Sequence, residues 1–245
     1  MTMQQLSSDQ SHPDELSLPS GTVHLWSAAL DLGDETPAFA LLSTDERHRA
    51  MQFRFERDRR RFTIARATLR SLLARYVARR ANEIAFTYGQ YGKPEIAGGG
   101  PQFNLSHSGE LVVIALSATT PLGVDAEQVD RSIDSDALIG SFASANERAA
   151  FAALPQEDRK PAFFHWWTRK EAVMKALGAG HSQPMESFDV SIAPNDARLA
   201  VVRSAEFSQH ISLTNIPLPP GYIGSLALYG NPQSIETHVF QRHEE

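Results

Sequence analysis

Residues 165–180 read HWWTRKEAVMKALGAG, and this stretch decides the fold because it joins residues that want burial to residues that resist it. A surface helix has no use for two adjacent tryptophans, and a core helix has none for Lys170, Glu171 and Lys175. Glu171 and Lys175 stand at i and i+4 and share one helical face, with Trp167 one turn ahead of them. As a bare surface ion pair, Glu171 and Lys175 would contribute about 0.2–0.5 kcal/mol. A tryptophan on the same stripe needs burial, and points instead to the wall of a half-buried cleft. Gly178 marks where the helix stops.

Working outward, the stretch GVDAE (123–127) reads as a strand, on which residues two apart face the same way, so Asp125 and Glu127 present their carboxylates together. Like charges at that spacing repel unless a proton or cation lies between them. A hard divalent ion such as Mg2+ accepts one or two carboxylates and clamps phosphate oxygens; the plainer alternative is a solvated carboxylate leaving the strand. FNLSHSG (103–109) reads as a strand ending in a turn over Ser106–Gly109, where the hydroxyls of Ser106 and Ser108, the His107 imidazole and backbone amides could cradle a phosphate. A serine nucleophile with His107 as base is disfavoured, because neighbours on a strand point apart and the G-x-S-x-G elbow is absent. A lone histidine of this kind most often makes a structural hydrogen bond. In YGKPE, Pro94 locks a turn that either holds Lys93 towards an anion or leaves it solvated.

The 245 residues suffice for one large or two modest domains; 42% are apolar and 21% charged, as in globular proteins. No apolar run is long enough to span a membrane, and the polar N-terminus has no secretory pattern, so a cytoplasmic protein with a mobile tail over residues 1–20 is expected. The absence of cysteine rules out disulfides, thiol catalysis and thiolate metal sites. The net charge of -6 conceals an asymmetry: between Arg47 and Arg80 twelve arginines face only Glu56 and Asp58, a segment of +10 against -16 for the rest. Such a block calls for an anionic partner, and the guanidinium fork suits phosphate. Nucleic acid is a rival partner, opposed by the acidic net charge and the lack of zinc ligands or an aromatic-plus-basic RNA motif.

The periodicities give a strand at TVHLWSAAL, a helix start at Ser43–Glu46, and one long amphipathic helix over Asp58–Arg80. A short strand at 84–88, an irregular turn at YGKPEIAGGG and the strand pair through LVVIALS complete a first half. The second half repeats the order: a strand at LGVDAEQV, helical sequence from 133 to 154 with a capping box at Ser144–Glu147, the tryptophan helix, then FDVSI, LAVVRS, ISLTNI and IGSLALYG as strands. No sequence repeat links the halves. The expected division is a tail at 1–20, an N-terminal subdomain at 21–119 and a C-terminal subdomain at 120–245.

In order and spacing, YGKP (91–94), FNLSHSG (103–109), LGVDAE (122–127) and WTRKEAVMKALGAG (167–180) resemble the 4'-phosphopantetheinyl transferases, of the larger monomeric type associated with surfactin synthetase. The family pattern G-[IV]-D-x-E is followed at roughly forty residues by W-[ST]-x-K-E-x-x-x-K; here Asp125 and Glu171 are 46 apart. The resemblance covers about residues 20–195. It implies an α+β fold of two similar subdomains related by a pseudo-two-fold axis, with coenzyme A between them. The implied reaction moves phosphopantetheine from coenzyme A to a serine of an apo carrier protein and releases adenosine 3',5'-bisphosphate. By the same resemblance Asp125, Glu127 and Glu171 hold Mg2+; Glu171 or a metal-held water is the base; and Lys175, supported by Lys170, steadies the pyrophosphate. Ser106, His107, Lys93, Arg61 and Arg49 are implied to grip coenzyme A. The loop Gly178–His181 departs from close relatives, which implies altered carrier docking. Two rivals stand beside this reading: a coenzyme A-binding regulator that has lost catalysis, and a nucleic-acid module using the arginine helix.

Overall fold

The computed structural model describes residues 15–30, 35–130, 132–178, 184–196, 199–202 and 210–241. The first half runs β1 (Thr22–Ala29), α1 (Thr36–Leu41), α2 (Thr44–Met51), α3 (Glu56–Val77), β2 (Phe86–Tyr88), β3 (Pro94–Ile96), β4 (Gln102–Ser108) and β5 (Leu111–Ser117). The second runs β6 (Leu122–Gln128), α4 (Ser135–Phe142), α5 (Ala145–Ala152), α6 (Gln156–Leu177), β7 (Phe188–Val190), β8 (Leu199–Val202), β9 (Ile211–Asn215) and β10 (Tyr222–Tyr229). One order, a strand, three helices, a two-stranded hairpin and two more strands, thus occurs twice. The sheets agree as well: β1-β5-β4 in the first half and β6-β10-β9 in the second, antiparallel throughout.

β11 (Ser234–Val239) breaks the symmetry, because it crosses back and pairs in parallel with β1 on the first sheet. The sequence reading assigns no strand here; Ile235, Thr237 and Val239 alternate with polar residues, but the strand is mostly exposed and its partner lies over 200 residues earlier. The end of the C-terminal stretch is therefore built into the first half. Two smaller expectations are also corrected. Residues 94–96 of the anticipated irregular turn form β3, with Pro94 at its first position, where the missing N–H is tolerated. Of the expected tail, residues 1–14 lie outside the described part, but Leu16 N–H donates to the Arg75 carbonyl at 2.9 Å and Leu16 and Leu18 pack on the first core.

Three apolar cores follow from strand alternation. Val112, Ile114 and Leu116 of β5 face α3, whereas Leu111, Val113 and Ala115 face the second sheet, which is why LVVIALS is buried throughout. Leu122, Val124 and Ala126 of β6 join that middle core. The other face of β6, with Gly123, Asp125 and Glu127, is turned towards α6, which packs along β6 and β10.

The halves also share a buried ionic device. Ser43 and Glu46 form a capping box at the start of α2, and Ser144 and Glu147 form one at the start of α5. Each glutamate is buried and meets a buried cation of the long helix: Arg70 Nε lies 2.6 Å from Glu46, and Lys170 Nζ 2.7 Å from Glu147. Both cations then donate to chain carbonyls further on, Arg70 to Ala81 and Ile84, Lys170 to Met185 and Phe188. Arg70 lies over the Phe86 ring and Lys170 over that of Phe188. Lys170 is thus the counterpart of Arg70. Its side chain has no exposed surface, so the expectation that it supports a pyrophosphate is corrected: its charge is spent on holding α5 and the β7 region to α6.

Removing one member of such a pair strands the other charge in the interior. Lys170→Met is expected to cost about 3–5 kcal/mol, and Lys170→Met with Glu147→Gln to recover most of it. Urea unfolding of the three proteins measures this; equal stability of wild type and Lys170→Met would contradict the pairing.

Candidate active site

β4 and β6 run side by side, yet side chains rather than paired backbones bridge them. Val124 N–H donates to Asn104 Oδ1 at 2.9 Å, Ser106 Oγ to Asp125 Oδ1 at 2.8 Å, Ser108 Oγ to Glu127 Oε2 at 2.6 Å, and Gln128 N–H to Ser108 Oγ at 3.1 Å. Every second residue of β4 reaches the seam, as strand geometry requires. This revises the expected turn. Pairing of β4 with β5 continues through Ser108↔Leu111, and the chain reverses only at Gly109–Glu110, with Gly109 at φ +56. Ser106 is therefore a strand residue whose hydroxyl is committed to a carboxylate, not to an open turn. Asn104 escaped the sequence reading, and Ser108, expected in the turn, instead bonds Glu127 from the strand; the signal was the polar alternation Asn104-Ser106-Ser108 within a strand.

From the other side α6 brings its charges to the seam. A Cβ on Gly123 would lie 2.2 Å from the Ala172 carbonyl oxygen and 2.3 Å from Ala176 N, so the helix rests directly on the β6 backbone. Thr168 Oγ1 hydrogen-bonds Ser225 Oγ on β10 at 3.0 Å, fixing the helix along its length. Lys175 Nζ then donates to Asp125 Oδ1 at 2.6 Å, to Ser106 Oγ at 3.2 Å and to the Val124 carbonyl at 3.2 Å. Trp166 is fully buried in the second core, whereas half-buried Trp167 looks into the cleft with its ring edge-on to Phe142. Arg169 is spent on Asn215 and on the carbonyls of Ser191, Ala193 and Pro194.

Two adjoining cavities share Leu105, Glu171 and Lys175 as walls. The smaller, about 410 Å³, adds Ser106, His107, Asp125, Glu127 and Trp167. The larger, about 690 Å³, adds Arg49, Tyr91, Lys93 and Met174 among others. Of the residues singled out from sequence, Asp125, Glu127, Glu171, Lys175, Ser106, His107, Arg49 and Lys93 therefore line one continuous cleft. Arg61 is ion-paired with Glu110 at the β4–β5 turn and acts on His107 through its charge. The loop after Gly178 lies outside the described residues.

The electrostatics ask for a cation. Asp125 is buried, and its Oδ2 has no hydrogen-bond partner, a costly arrangement for a carboxylate oxygen. The Glu127 carboxyl is pushed above its usual range, first by burial and further by the charges of Asp125 and Glu171, with Ser108 and Lys175 opposing. Among the described residues the carboxylates of Asp125, Glu127 and Glu171 do not all lie within 4.8 Å of one another. Mg2+ binds through one or two carboxylates and fills its octahedron with water and phosphate oxygens, so these residues would hold it partly through water from separate positions on the cleft wall. His107 keeps an exposed surface, but the protein packed round it and then the charges of Lys175 and Arg61 hold its pKa below the usual value. Lys93 Nζ donates to the carbonyls of Leu122 and Lys175, both at 2.8 Å, tying the β2–β3 hairpin to the second half.

Residues 121–227 match the family model described as the 4'-phosphopantetheinyl transferase superfamily, and residues 33–119 match that of 4'-phosphopantetheinyl transferase, N-terminal. The 4'-phosphopantetheinyl transferase HetI of Nostoc sp. (strain PCC 7120) is 36% identical over 190 residues, 75% of this chain and 80% of that protein. A 4'-phosphopantetheinyl transferase of Bacillus subtilis is 31% identical over 165 residues, 66% of this chain and 72% of its own. The Sfp protein of Bacillus subtilis (strain 168), of the same designation, is 29% identical over 154 residues, 62% and 67% of the two chains.

Two measurements probe this geometry. Gly123→Ala forces α6 off β6 and is expected to cost about 3 kcal/mol or more, read as a lower urea midpoint; unchanged stability would mean the helix does not rest there. Burial holds the Lys93 ammonium's pKa down to about 8 against its ordinary 10.5, with Glu95 opposing. Between those values the unfolded chain keeps a proton that the folded chain has released, so Lys93 adds stability as pH rises through that window. Lys93→Met should remove this slope in unfolding measured at about pH 7.5, 9 and 10.5; an identical slope in both proteins would contradict the burial.

Proposed function

The chain belongs to the 4'-phosphopantetheinyl transferase family and transfers the phosphopantetheine arm of coenzyme A to carrier proteins; we propose that it does so in the cleft between β4, β6 and α6, with Mg2+ held by Asp125, Glu127 and Glu171. The observation that carries this reading is the buried, unpartnered Oδ2 of Asp125, which shares a cavity with two further carboxylates and Lys175. When bound, Mg2+ supplies charge neutralisation on the pyrophosphate of coenzyme A.

The side chains divide the remaining work. Lys175, fixed between Asp125 and Ser106, meets the pyrophosphate. Arg49, Lys93 and His107 line the cleft where the nucleotide end lies, with Arg61 beside His107. Glu171, on the wall common to both cavities, takes the proton of the carrier serine as its hydroxyl oxygen bonds to the phosphorus bearing the pantetheine arm. The bond from that phosphorus to the bridging oxygen breaks, and adenosine 3',5'-bisphosphate leaves with the electron pair. Positioning and charge stabilisation do most of the catalysis in phosphoryl transfer. A monomer suffices, because one chain already supplies both halves of the cleft. Among the described residues no helix is long and apolar enough to cross a membrane, and we assign the enzyme to the cytoplasm, where coenzyme A and apo carriers meet.

Incubation with coenzyme A, Mg2+ and a panel of apo carrier proteins should add the mass of one phosphopantetheine arm to at least one carrier. Glu171→Gln is expected to slow transfer by about 10²–10⁴-fold with little change in Tm, and Asp125→Asn to abolish the rise in Tm that Mg2+ gives the wild type. Near-wild-type transfer by Glu171→Gln, or an unchanged Mg2+ response in Asp125→Asn, would refute these assignments.

A further inference from the structure

Away from the cleft, the edge of the first sheet carries a second set of ligand-bearing side chains. The sheet order is β11-β1-β5-β4, so β11 and β1 lie on the side opposite β4. Their parallel register sets His24 against Glu236 and Trp26 against His238. Among the described residues, His24, Glu236 and His238 form the one group of three whose ligand atoms all lie within 4.8 Å of one another. His24 Nε2 is 3.5 Å and His238 Nε2 is 3.9 Å from the same oxygen, Glu236 Oε2. Zinc bonds of about 2.0–2.1 Å put tetrahedral ligand atoms about 3.3 Å apart, close to the two separations from the shared carboxylate oxygen.

Each ligand is also prepared. His24 Nδ1 lies 2.7 Å from Tyr76 Oη, which accepts the Trp26 Nε1–H at 2.9 Å. With His24 Nδ1–H donating to that oxygen, the Nε2 lone pair faces Glu236, the outer support that metal-bound histidines commonly have. The His238 ring stacks on Trp26 at 4.5 Å between centroids, which fixes its plane. Its Nε2 is buried and has no hydrogen-bond partner.

We propose that His24, Glu236 and His238 form a binding site for one divalent transition-metal ion of the zinc type, which staples β11 to β1. Two imidazoles and a carboxylate are a borderline ligand set suited to Zn2+ rather than to Mg2+ or Ca2+. The half-exposed Glu236 leaves the fourth position to water. The ion ties the end of the second half to β1, the one strand that neighbours β11 among the described residues.

The test uses the full chain without an affinity tag, in millimolar Mg2+ to occupy the cleft carboxylates, titrated calorimetrically with ZnCl2. The wild type should bind one equivalent that is weakened at least tenfold in both Glu236→Gln and His238→Ala. At free Zn2+ a hundredfold above the wild-type Kd, the wild-type Tm should rise by about 5–10 °C, and the two variants should rise by no more than about half as much. Transfer of phosphopantetheine by Glu236→Gln in Mg2+ should match the wild type. Failure of the wild type to bind Zn2+, or binding by either variant as tight as the wild type's, overturns the proposal.

Discussion

The seam between β4 and β6 governs the rest of the molecule. Two neighbouring strands would ordinarily join through backbone hydrogen bonds, but here Asn104, Ser106 and Ser108 stand between them. Side-chain bridging keeps the sheets as two units and puts two carboxylates at the junction. Because the bonds that close the seam end on Asp125 and Glu127, the forces that join the halves also orient the candidate ligands. Lys175 reaches the same oxygen from α6, and Lys93 crosses from the first half to carbonyls of the second. The polar side of the interface and the site are one set of contacts, beside the apolar core that β5 and β6 share.

The repeated ionic pairs explain how each half can hold its long helix rigid enough for this. A capping-box glutamate that is also buried against a helix cation couples a short helix, a long helix and the following hairpin at one point. Such a pair is no guarantee of net stability over an apolar replacement, but it admits only one registration of the three elements. In the second half that registration sets which turn of α6 meets Asp125. The duplication is invisible to residue matching because its members differ in type, arginine in one half and lysine in the other, and because the intervals are unequal: Arg70 precedes Phe86 by 16 residues and Lys170 precedes Phe188 by 18.

Much of the site was legible in the sequence because periodicity is local physics. Asp125 and Glu127 share a face because they are two apart on a strand, and Glu171 and Lys175 share one because they are four apart on a helix. The same logic failed for Lys170. It lies next to Glu171 in sequence, but a step of about 100° round the helix turns it into the core, where only a distant glutamate makes a buried ammonium tolerable. Ser106 was placed in a turn because polar residues clustered before a glycine look like one; the strand continues because its polar side has carboxylates to bond.

By itself the sequence determined the long helices α3 and α6, the helical sequence of α2, α4 and α5, most strands and the paired acidic motifs, since each depends on spacing within a few residues; it gave no sign of α1. The tertiary structure alone decided three things. These are the return of β11 to the first sheet, the direction of the buried cations, and the side-chain seam that brings Asp125 to Lys175. All three join residues far apart in the chain, where the energy comes from partners that no local pattern specifies.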